Sequence, residues 1–201
     1  MTTADRIREI AGPIRDKWRA LRPEWRTTDS PLKYVDWAME ETIAKSAALA
    51  MVLHQEVGSQ VVEFGPGACY LLAMMQKRGC GVLGYDIPDR PLYRDTAQAL
   101  RVNHTVCDWI IAANHLPMPQ RTDLIVATQI SWMNDWTADD GRRAVGEWLK
   151  CLKPGGRLAL WPNPQAFGGA DPGEVWSDFC PVELTMKHLG LGFVFAKEGT
   201  P

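Results

Sequence analysis

A strand, a glycine turn, a helix, a second strand and an acidic residue follow one another in this chain, and this order constrains its fold most strongly. Residues 61–64 are predicted to form a buried strand, and 65–67 the turn after it. Residues 71–76 have helical character, and a second apolar run, 81–85, ends at Asp86. Parallel α/β domains hold nucleoside cofactors in this way, with glycines that let the backbone approach a ligand closely.

The spacing within the turn discriminates between two kinds of nucleoside cofactor. A dinucleotide site requires Gly-x-Gly-x-x-Gly, whose last glycine lets the helix pack closely on the strand. Tyr70 occupies that last position here, and Glu63 lies two residues before the first glycine. The pattern Glu63-x-Gly65-x-Gly67 instead resembles the first motif of class I S-adenosylmethionine-dependent methyltransferases. That cofactor has no phosphates, and an acid beside the turn suits its cationic end.

The resemblance continues in order over roughly residues 58–163. Residues 103–107 look like the third strand of the family, and 116–119 like the Leu-Pro link that precedes the fourth strand. Residues 123–129 fit that fourth strand. A helix over 140–152 then leads into a Lys-Pro-Gly-Gly turn and a fifth strand over 158–161. The resemblance implies a doubly wound, mostly parallel sheet of six or seven strands with helices on both faces and the strand order 3-2-1-4-5.

The resemblance also implies a set of residues that contact S-adenosylmethionine. Asp86 is placed to accept hydrogen bonds from the ribose hydroxyls, and Asp108 lies where the family has an acid near the adenine amino group. Either residue could instead cap a helix or a turn, and Gln129 is the most open assignment. The predicted cofactor residues are Glu63, Gly65, Pro66, Gly67, Asp86, Ile87, Asp108, Trp109 and Gln129.

The segment before the first strand predicts a helical cap over residues 1–57, attached to an α/β core over 58–201 in a single domain. Ile7, Ile10, Ile14 and Trp18 recur at helical spacing, so a first helix is expected over 1–22. A second, long helix is expected over 34–54. In family members such helices cover the cofactor cleft and shape the substrate pocket, so Tyr34 is a candidate substrate contact.

The end of the chain is expected to be reduced. A loop rich in proline and glycine follows the fifth strand, a helix is predicted around 181–189, and one final strand over 191–196. The full family fold ends in a hairpin of two strands, of which only one is evident in the sequence.

The loop after the fourth strand, 129–136, lies where open α/β sheets place their ligands. Trp132 and Trp136 flank the expected cleft and could stack on a substrate, although aromatic residues more often pack in a core. The loop lacks the Asp/Asn-Pro-Pro-Tyr/Phe motif of amino-group methyltransferases that act on nucleic acids, and it has no Pro-Cys nucleophile. Nucleic acid is therefore not an expected substrate.

Composition and charge agree with a single compact unit of 201 residues. The net charge of −2 gives no general attraction to nucleic acid, and no apolar run is long enough to span a bilayer. Five cysteines without a Cys-x-x-Cys pair and four histidines without metal-ligand spacing predict reduced thiols in a cytoplasm, with no metal site. The sequence leaves the oligomeric state open.

The function that the resemblance implies is methyl transfer from S-adenosylmethionine to a small-molecule acceptor, by in-line attack on the activated methyl group. No catalytic residue can be named, because alignment alone can supply much of the rate. Two alternatives remain. One is a non-catalytic methyltransferase-fold protein with a binding or regulatory role. The other, disfavoured by Tyr70 and the turn at 153–156, is an NAD-dependent oxidoreductase.

Overall fold

The computed structural model describes residues 1–26, 30–87, 91–106, 119–187 and 189–197. The helices are α1 (Thr3–Leu21), α2 (Met39–Val52), α3 (Tyr70–Lys77), α4 (Pro91–Leu100), α5 (Ala138–Cys151) and α6 (Pro172–Trp176). The strands are β1 (Gln60–Phe64), β2 (Gly81–Asp86), β3 (His104–Val106), β4 (Thr122–Thr128), β5 (Leu152–Trp161), β6 (Val182–Met186) and β7 (Gly190–Ala196).

These strands form one seven-stranded sheet in the order β3-β2-β1-β4-β5-β7-β6. The first five strands in that order are parallel, as the sequence predicts, and β7 is antiparallel to β5. Parallel strands all end at the same edge, so the carboxyl ends of β1, β2 and β4 lie side by side. That edge carries the candidate site.

The helix predicted around residues 181–189 is wrong, because β6 pairs with β7 as an antiparallel hairpin from Val182↔Val194 to Met186↔Gly190. Leu184 and Met186 are partly buried and pack against the core, whereas Glu183 and Thr185 are exposed. This alternation has the period of two that characterises a strand. The hairpin at this edge is therefore complete.

The N-terminal segment departs from the sequence prediction in one place. The helix expected over residues 1–22 is present as α1, which begins with a capping box formed by Thr2 and Asp5. The single long helix expected over residues 34–54 is instead a 3₁₀ helix, Pro31–Val35, followed by α2. The non-helical backbone of Asp36, with φ −132° and ψ −121°, separates the two.

Side chains from both faces of the sheet are buried against helices. On one face, Val61 and Val126 belong to a cluster that includes residues of α2 and α3. On the other face, Phe64 stacks on Trp148 of α5 with ring centroids 4.5 Å apart. The helices on both faces agree with the doubly wound architecture that the sequence predicts.

The helix α1 attaches to the core through a third apolar cluster. Ile10, Ile14 and Trp18 pack with Leu32 of the 3₁₀ helix and Leu92 of α4. The indole nitrogen of Trp18 also donates a hydrogen bond to Asp95. The cap is therefore held beside the carboxyl edge of the sheet.

Candidate cofactor site

In the turn after β1, position 65 requires glycine for two separate reasons. Its φ is +63°, which favours glycine, and a Cβ there would lie 2.0 Å from Cγ2 of Ile130. Its backbone N–H donates a 2.8 Å hydrogen bond to the carbonyl of Tyr85, so the turn is tied to β2. Gly67 also has a positive φ, +51°, but a Cβ there would have only Tyr93 nearby, at 3.9 Å. The backbone at Gly67 is therefore open to an approaching ligand.

A cavity of about 510 Å³ lies above this turn, between the carboxyl edge of the sheet and the cap. This volume lies within the range of roughly 300–1,000 Å³ that small-molecule sites occupy. The side from the sheet and its loops includes Glu63, Gly65, Pro66, Gly67, Asp86, Ile87, Tyr93, Thr128, Gln129, Ile130, Ser131, Trp132 and Asn163. The cap contributes Pro31, Lys33, Tyr34, Thr42, Lys45, Ser46 and Leu49.

Two buried carboxyl groups form the floor of the cavity. Glu63 and Asp86 are each only 4% exposed. Oδ1 of Asp86 accepts a hydrogen bond from the N–H of Ile87 at 2.8 Å, but Asp86 Oδ2 and Glu63 Oε2 have no partner among the described residues. Because a buried polar atom without a partner is costly, these oxygens favour a ligand that offers hydroxyl, ammonium or other cationic groups.

The environment of Glu63 changes its acidity strongly. Burial raises the pKa of Glu63 from 4.5 to about 8, and the carboxylate of Asp86 contributes in the same direction. A cation bound beside Glu63 would lower that pKa again, because it stabilises the ionised form. The floor of the cavity therefore favours the binding of a positively charged ligand.

His104 is a neighbour of Asp86 that the sequence did not indicate. Its Nε2 lies 3.8 Å from Asp86 Oδ2, which is too long for a hydrogen bond, and both side chains are about 5% exposed. The two residues meet because β3 pairs in parallel with β2, with His104 opposite Gly84. The sequence does not show this register, so it could not indicate that His104 lies beside Asp86.

Most of the predicted cofactor residues line this one cavity. Those that do are Glu63, Gly65, Pro66, Gly67, Asp86, Ile87 and Gln129. Asp108 and Trp109 lie outside the described residues. What each residue contacts in a bound cofactor stays a prediction.

The predicted substrate contacts divide in a similar way. Tyr34 and Trp132 line the cavity, whereas Trp136 does not. The ring of Trp136 is buried between those of Trp132 and Trp148, at centroid distances of 5.0 and 6.1 Å. These ring contacts account for much of the burial of Trp136, and its contact with a substrate stays a prediction.

Tyr70, the residue that replaces the third glycine of a dinucleotide motif, connects the turn to the cap. It is buried at the start of α3, and its hydroxyl donates a 2.7 Å hydrogen bond to the carbonyl of Tyr34. Burial also raises the pKa of the Tyr70 hydroxyl, so the group stays a donor. The sequence indicates only that Tyr70 disfavours dinucleotide binding. It does not indicate that Tyr70 contacts the cap.

Gln129 has an unusual backbone at the end of β4. Its φ is +50°, and its N–H donates a 2.6 Å hydrogen bond to the carbonyl of Trp161 on β5. A positive φ is uncommon for a residue other than glycine and is often found where a site demands it. The reversal directs the chain into the 3₁₀ helix Ser131–Asp135, which carries Trp132 to the cavity.

Comparison with protein families matches residues 62–160 to a family described as a methyltransferase domain. The matched range runs from the strand that carries Glu63 to the end of the fifth parallel strand. Residues 62–160 therefore belong to the class I methyltransferase domains. Its cofactor is accordingly S-adenosylmethionine. A search of curated protein sequences gave no significant match.

Solved structures agree with this membership at the level of the fold. A TehB-like S-adenosylmethionine-dependent methyltransferase from Corynebacterium glutamicum is 18% identical, with 94% of this chain and 98% of that one covered and a TM-score of 0.58. The N-methyltransferase NodS from Bradyrhizobium japonicum is 15% identical over 81% and 98% of the two chains, with a TM-score of 0.57.

TrmN from Thermus thermophilus is 19% identical, with a TM-score of 0.55. The match covers 77% of this chain, which spans only about half of that protein, 48%. These similarities show the methyltransferase fold and leave the acceptor open.

The described residues lack two further features. They contain no helix long and apolar enough to cross a bilayer. Within the same ranges, no group of three histidine, cysteine or acidic side chains is arranged to hold a metal ion.

Proposed function

We propose that this methyltransferase-fold protein transfers a methyl group from S-adenosylmethionine to a small-molecule acceptor inside the cavity beneath the cap. The observation that carries the proposal is the pair of buried carboxyl groups, Glu63 and Asp86, each with an unpartnered oxygen at the cavity floor. S-adenosylmethionine offers a ribose diol, an ammonium group and a sulfonium, which are the groups that such oxygens bind well.

The residues around the floor suggest how the cofactor would be held. Asp86, at the end of β2, would accept hydrogen bonds from the ribose hydroxyls, and Ile87 would contact the nucleoside. Ionised Glu63 would face the cationic part of the cofactor. The open backbone at Gly67 would let the ligand approach the turn closely. We also propose the adenine roles for Asp108 and Trp109, whose structure is not described.

The cap favours a small acceptor over a polymer. We propose that residues 1–57 and 58–201 act as one domain in which the cap covers the site. Residues from the 3₁₀ helix Pro31–Val35 and from α2 form one wall of this cavity of about 510 Å³. An acceptor that enters this space is small, and the net charge of −2 supplies no general attraction to nucleic acid.

The chemistry requires little beyond alignment. When bound, the cofactor supplies a methyl group that is already activated for attack by a nucleophile. The protein would contribute by holding the acceptor in line and by excluding water from the cavity. Trp132 and Tyr34 line the cavity, and in our proposal they would hold the acceptor and exclude water.

Calorimetric titration with S-adenosylmethionine, S-adenosylhomocysteine and NAD tests the cofactor assignment. We expect the first two to bind and NAD not to bind. Asp86→Asn should weaken both affinities by about tenfold or more, which corresponds to roughly 1.4 kcal/mol. Asp139→Asn is the matched control, since the side chain of Asp139 is 93% exposed and forms an exposed ion pair with Arg142.

The outcomes separate the rival functions. Binding of NAD alone would indicate an oxidoreductase, and binding of none of the three would indicate a fold that has lost its cofactor. If the cofactor binds but no acceptor in a broad chemical panel is methylated, a non-catalytic binding role becomes the better explanation.

A further inference from the structure

The charges that line the cavity are separated by side. The acidic residues at the floor, Glu63 and Asp86, come from the sheet, whereas the cap contributes two lysines, Lys33 and Lys45. No acidic residue is among the cap residues that line the cavity within the described ranges. A ligand that fills the cavity therefore meets negative charge below and positive charge above.

The two lysines differ in what surrounds their ammonium groups. Lys45 forms an ion pair with Glu41 of the same helix at 3.0 Å, so its charge is already balanced. Lys33 has no carboxylate within ion-pair distance in the part of the chain that the structure describes, and the carboxylate nearest in sequence, Asp36, pairs with Arg19 at 2.5 Å. Nζ of Lys33 instead lies over the ring of Tyr34, 5.1 Å from its centroid.

The backbone that carries Lys33 is fixed. The N–H of Lys33 donates to the carbonyl of Ser30 at 3.2 Å, and the hydroxyl of Tyr70 holds the next residue, Tyr34, through its carbonyl. Because both bonds restrain the 3₁₀ helix, the ammonium group is presented from a rigid segment. The backbone of this segment therefore needs little ordering when the lysine side chain binds an anion.

Lys33 lies between the main cavity and a second one. Lys33 borders a second cavity of about 410 Å³ whose other lining residues, such as Arg19, Trp25 and Trp37, all belong to the cap. In the proposed function Glu63 and Asp86 hold the cofactor from the sheet side, so the cap that carries Lys33 is the side left to the acceptor.

We infer that the methyl acceptor carries an anionic group, a carboxylate or a phosphate, which the ammonium group of Lys33 binds. This inference rests on the proposed function, since it names the substrate class of the same site. A charge-assisted hydrogen bond from an otherwise unbalanced lysine would both orient the acceptor and select against neutral analogues. The aromatic rings of Tyr34 and Trp132, which line the same cavity, would contact the body of the acceptor.

The test uses full-length protein saturated with S-adenosylhomocysteine and three probes: 4-hydroxybenzoate, phenyl phosphate and the neutral 4-hydroxybenzamide. We expect at least one anionic probe to bind about tenfold more tightly than the amide. The Lys33→Gln variant should lose that preference, whereas the Lys33→Arg variant, which keeps the positive charge, should retain it. Lys77→Gln, which removes an exposed lysine from α3, should leave the preference unchanged.

Separate measurements distinguish the ways in which the inference can fail. Equal binding of the anions and the amide, or no binding of either anion, would overturn it. A Lys33→Gln variant that binds S-adenosylhomocysteine about tenfold more weakly would assign the lysine to the cofactor carboxylate and would also overturn it. Failure of the wild-type protein to bind S-adenosylhomocysteine would appear in the first titration and would refute the proposed function itself.

Discussion

Replacing Glu63 with glutamine should remove a pH-dependent penalty on folding. Glu63 is 4% exposed, and burial together with the nearby Asp86 carboxylate raises its pKa from 4.5 to about 8. Between these two values the folded chain holds a proton on Glu63 that the unfolded chain has released. Stability from this group is therefore complete below pH 4.5 and is lost progressively as the pH rises to about 8.

The size of the effect follows from the difference between the two pKa values. Each pH unit in the interval lowers the free energy of unfolding by about 1.4 kcal/mol, so the whole interval of about 3.5 units costs roughly 5 kcal/mol. Glutamine has nearly the same shape and does not ionise. The Glu63→Gln protein should thus become more stable than wild type as the pH rises.

Urea denaturation at several pH values between about 5 and 8 measures this difference, because the slope of stability against pH is the quantity predicted. Other titrating groups, including the four histidines, are shared by both proteins and cancel in the comparison. Glu9→Gln is the control, since the side chain of Glu9 is 57% exposed. Parallel stability curves for wild type and Glu63→Gln would refute the reasoning, because they would show that Glu63 ionises normally in the folded protein.

The same group predicts how cofactor affinity varies with pH. A cationic ligand favours the ionised form of Glu63, so in wild type the binding of S-adenosylmethionine should release protons and tighten as the pH rises towards about 8. Glu63→Gln should bind more weakly and lose this dependence. Calorimetry in two buffers of different ionisation enthalpy counts the released protons, and a count that is the same in both proteins would contradict the assignment.

Two further substitutions test the packing around the site. Gly65→Ala should destabilise the fold by roughly 3 kcal/mol or more, since its Cβ would overlap Ile130 at a positive φ, whereas Gly155→Ala, with a positive φ but no atom within 4 Å, should cost about 1–2 kcal/mol. Urea denaturation measures both, and equal costs would contradict the overlap. Tyr70→Phe leaves the Tyr34 carbonyl without its partner and should lower the stability by about 1–3 kcal/mol. An unchanged midpoint of thermal unfolding would show that this hydrogen bond contributes nothing.

The parts of the fold that could be predicted are those that local sequence determines. The strands β1 and β4 are rich in apolar residues, with Val61, Val62 and Phe64 in β1 and the run 124–127 in β4, because parallel strands are buried on both faces. The turn at Gly65 is evident from the glycine spacing alone, although the side chain that excludes a Cβ there, Ile130, is distant in sequence. Such features depend on neighbours in sequence, so no knowledge of the tertiary structure is needed to find them.

The parts that could not be predicted depend on contacts between distant residues. The short strand β6 is largely exposed, and it forms because β7 offers an antiparallel edge. His104 reaches Asp86 only through the register of β3 on β2. The packing of Trp136 against Trp148, on a helix later in the chain, could likewise not be read from its place in the loop.

Tyr70 links the two halves of the proposed site more directly than any motif does. At the position where a dinucleotide fold needs glycine, a bulky side chain excludes close packing of helix on strand, which argues for the smaller cofactor. The same side chain reaches the cap, and its hydroxyl holds the carbonyl of Tyr34. The 3₁₀ helix that carries Lys33, the residue we propose to bind the acceptor, is therefore anchored to the first residue of α3. Tyr70, which replaces a glycine of the dinucleotide pattern, thus holds in place the part of the cap that an acceptor would contact.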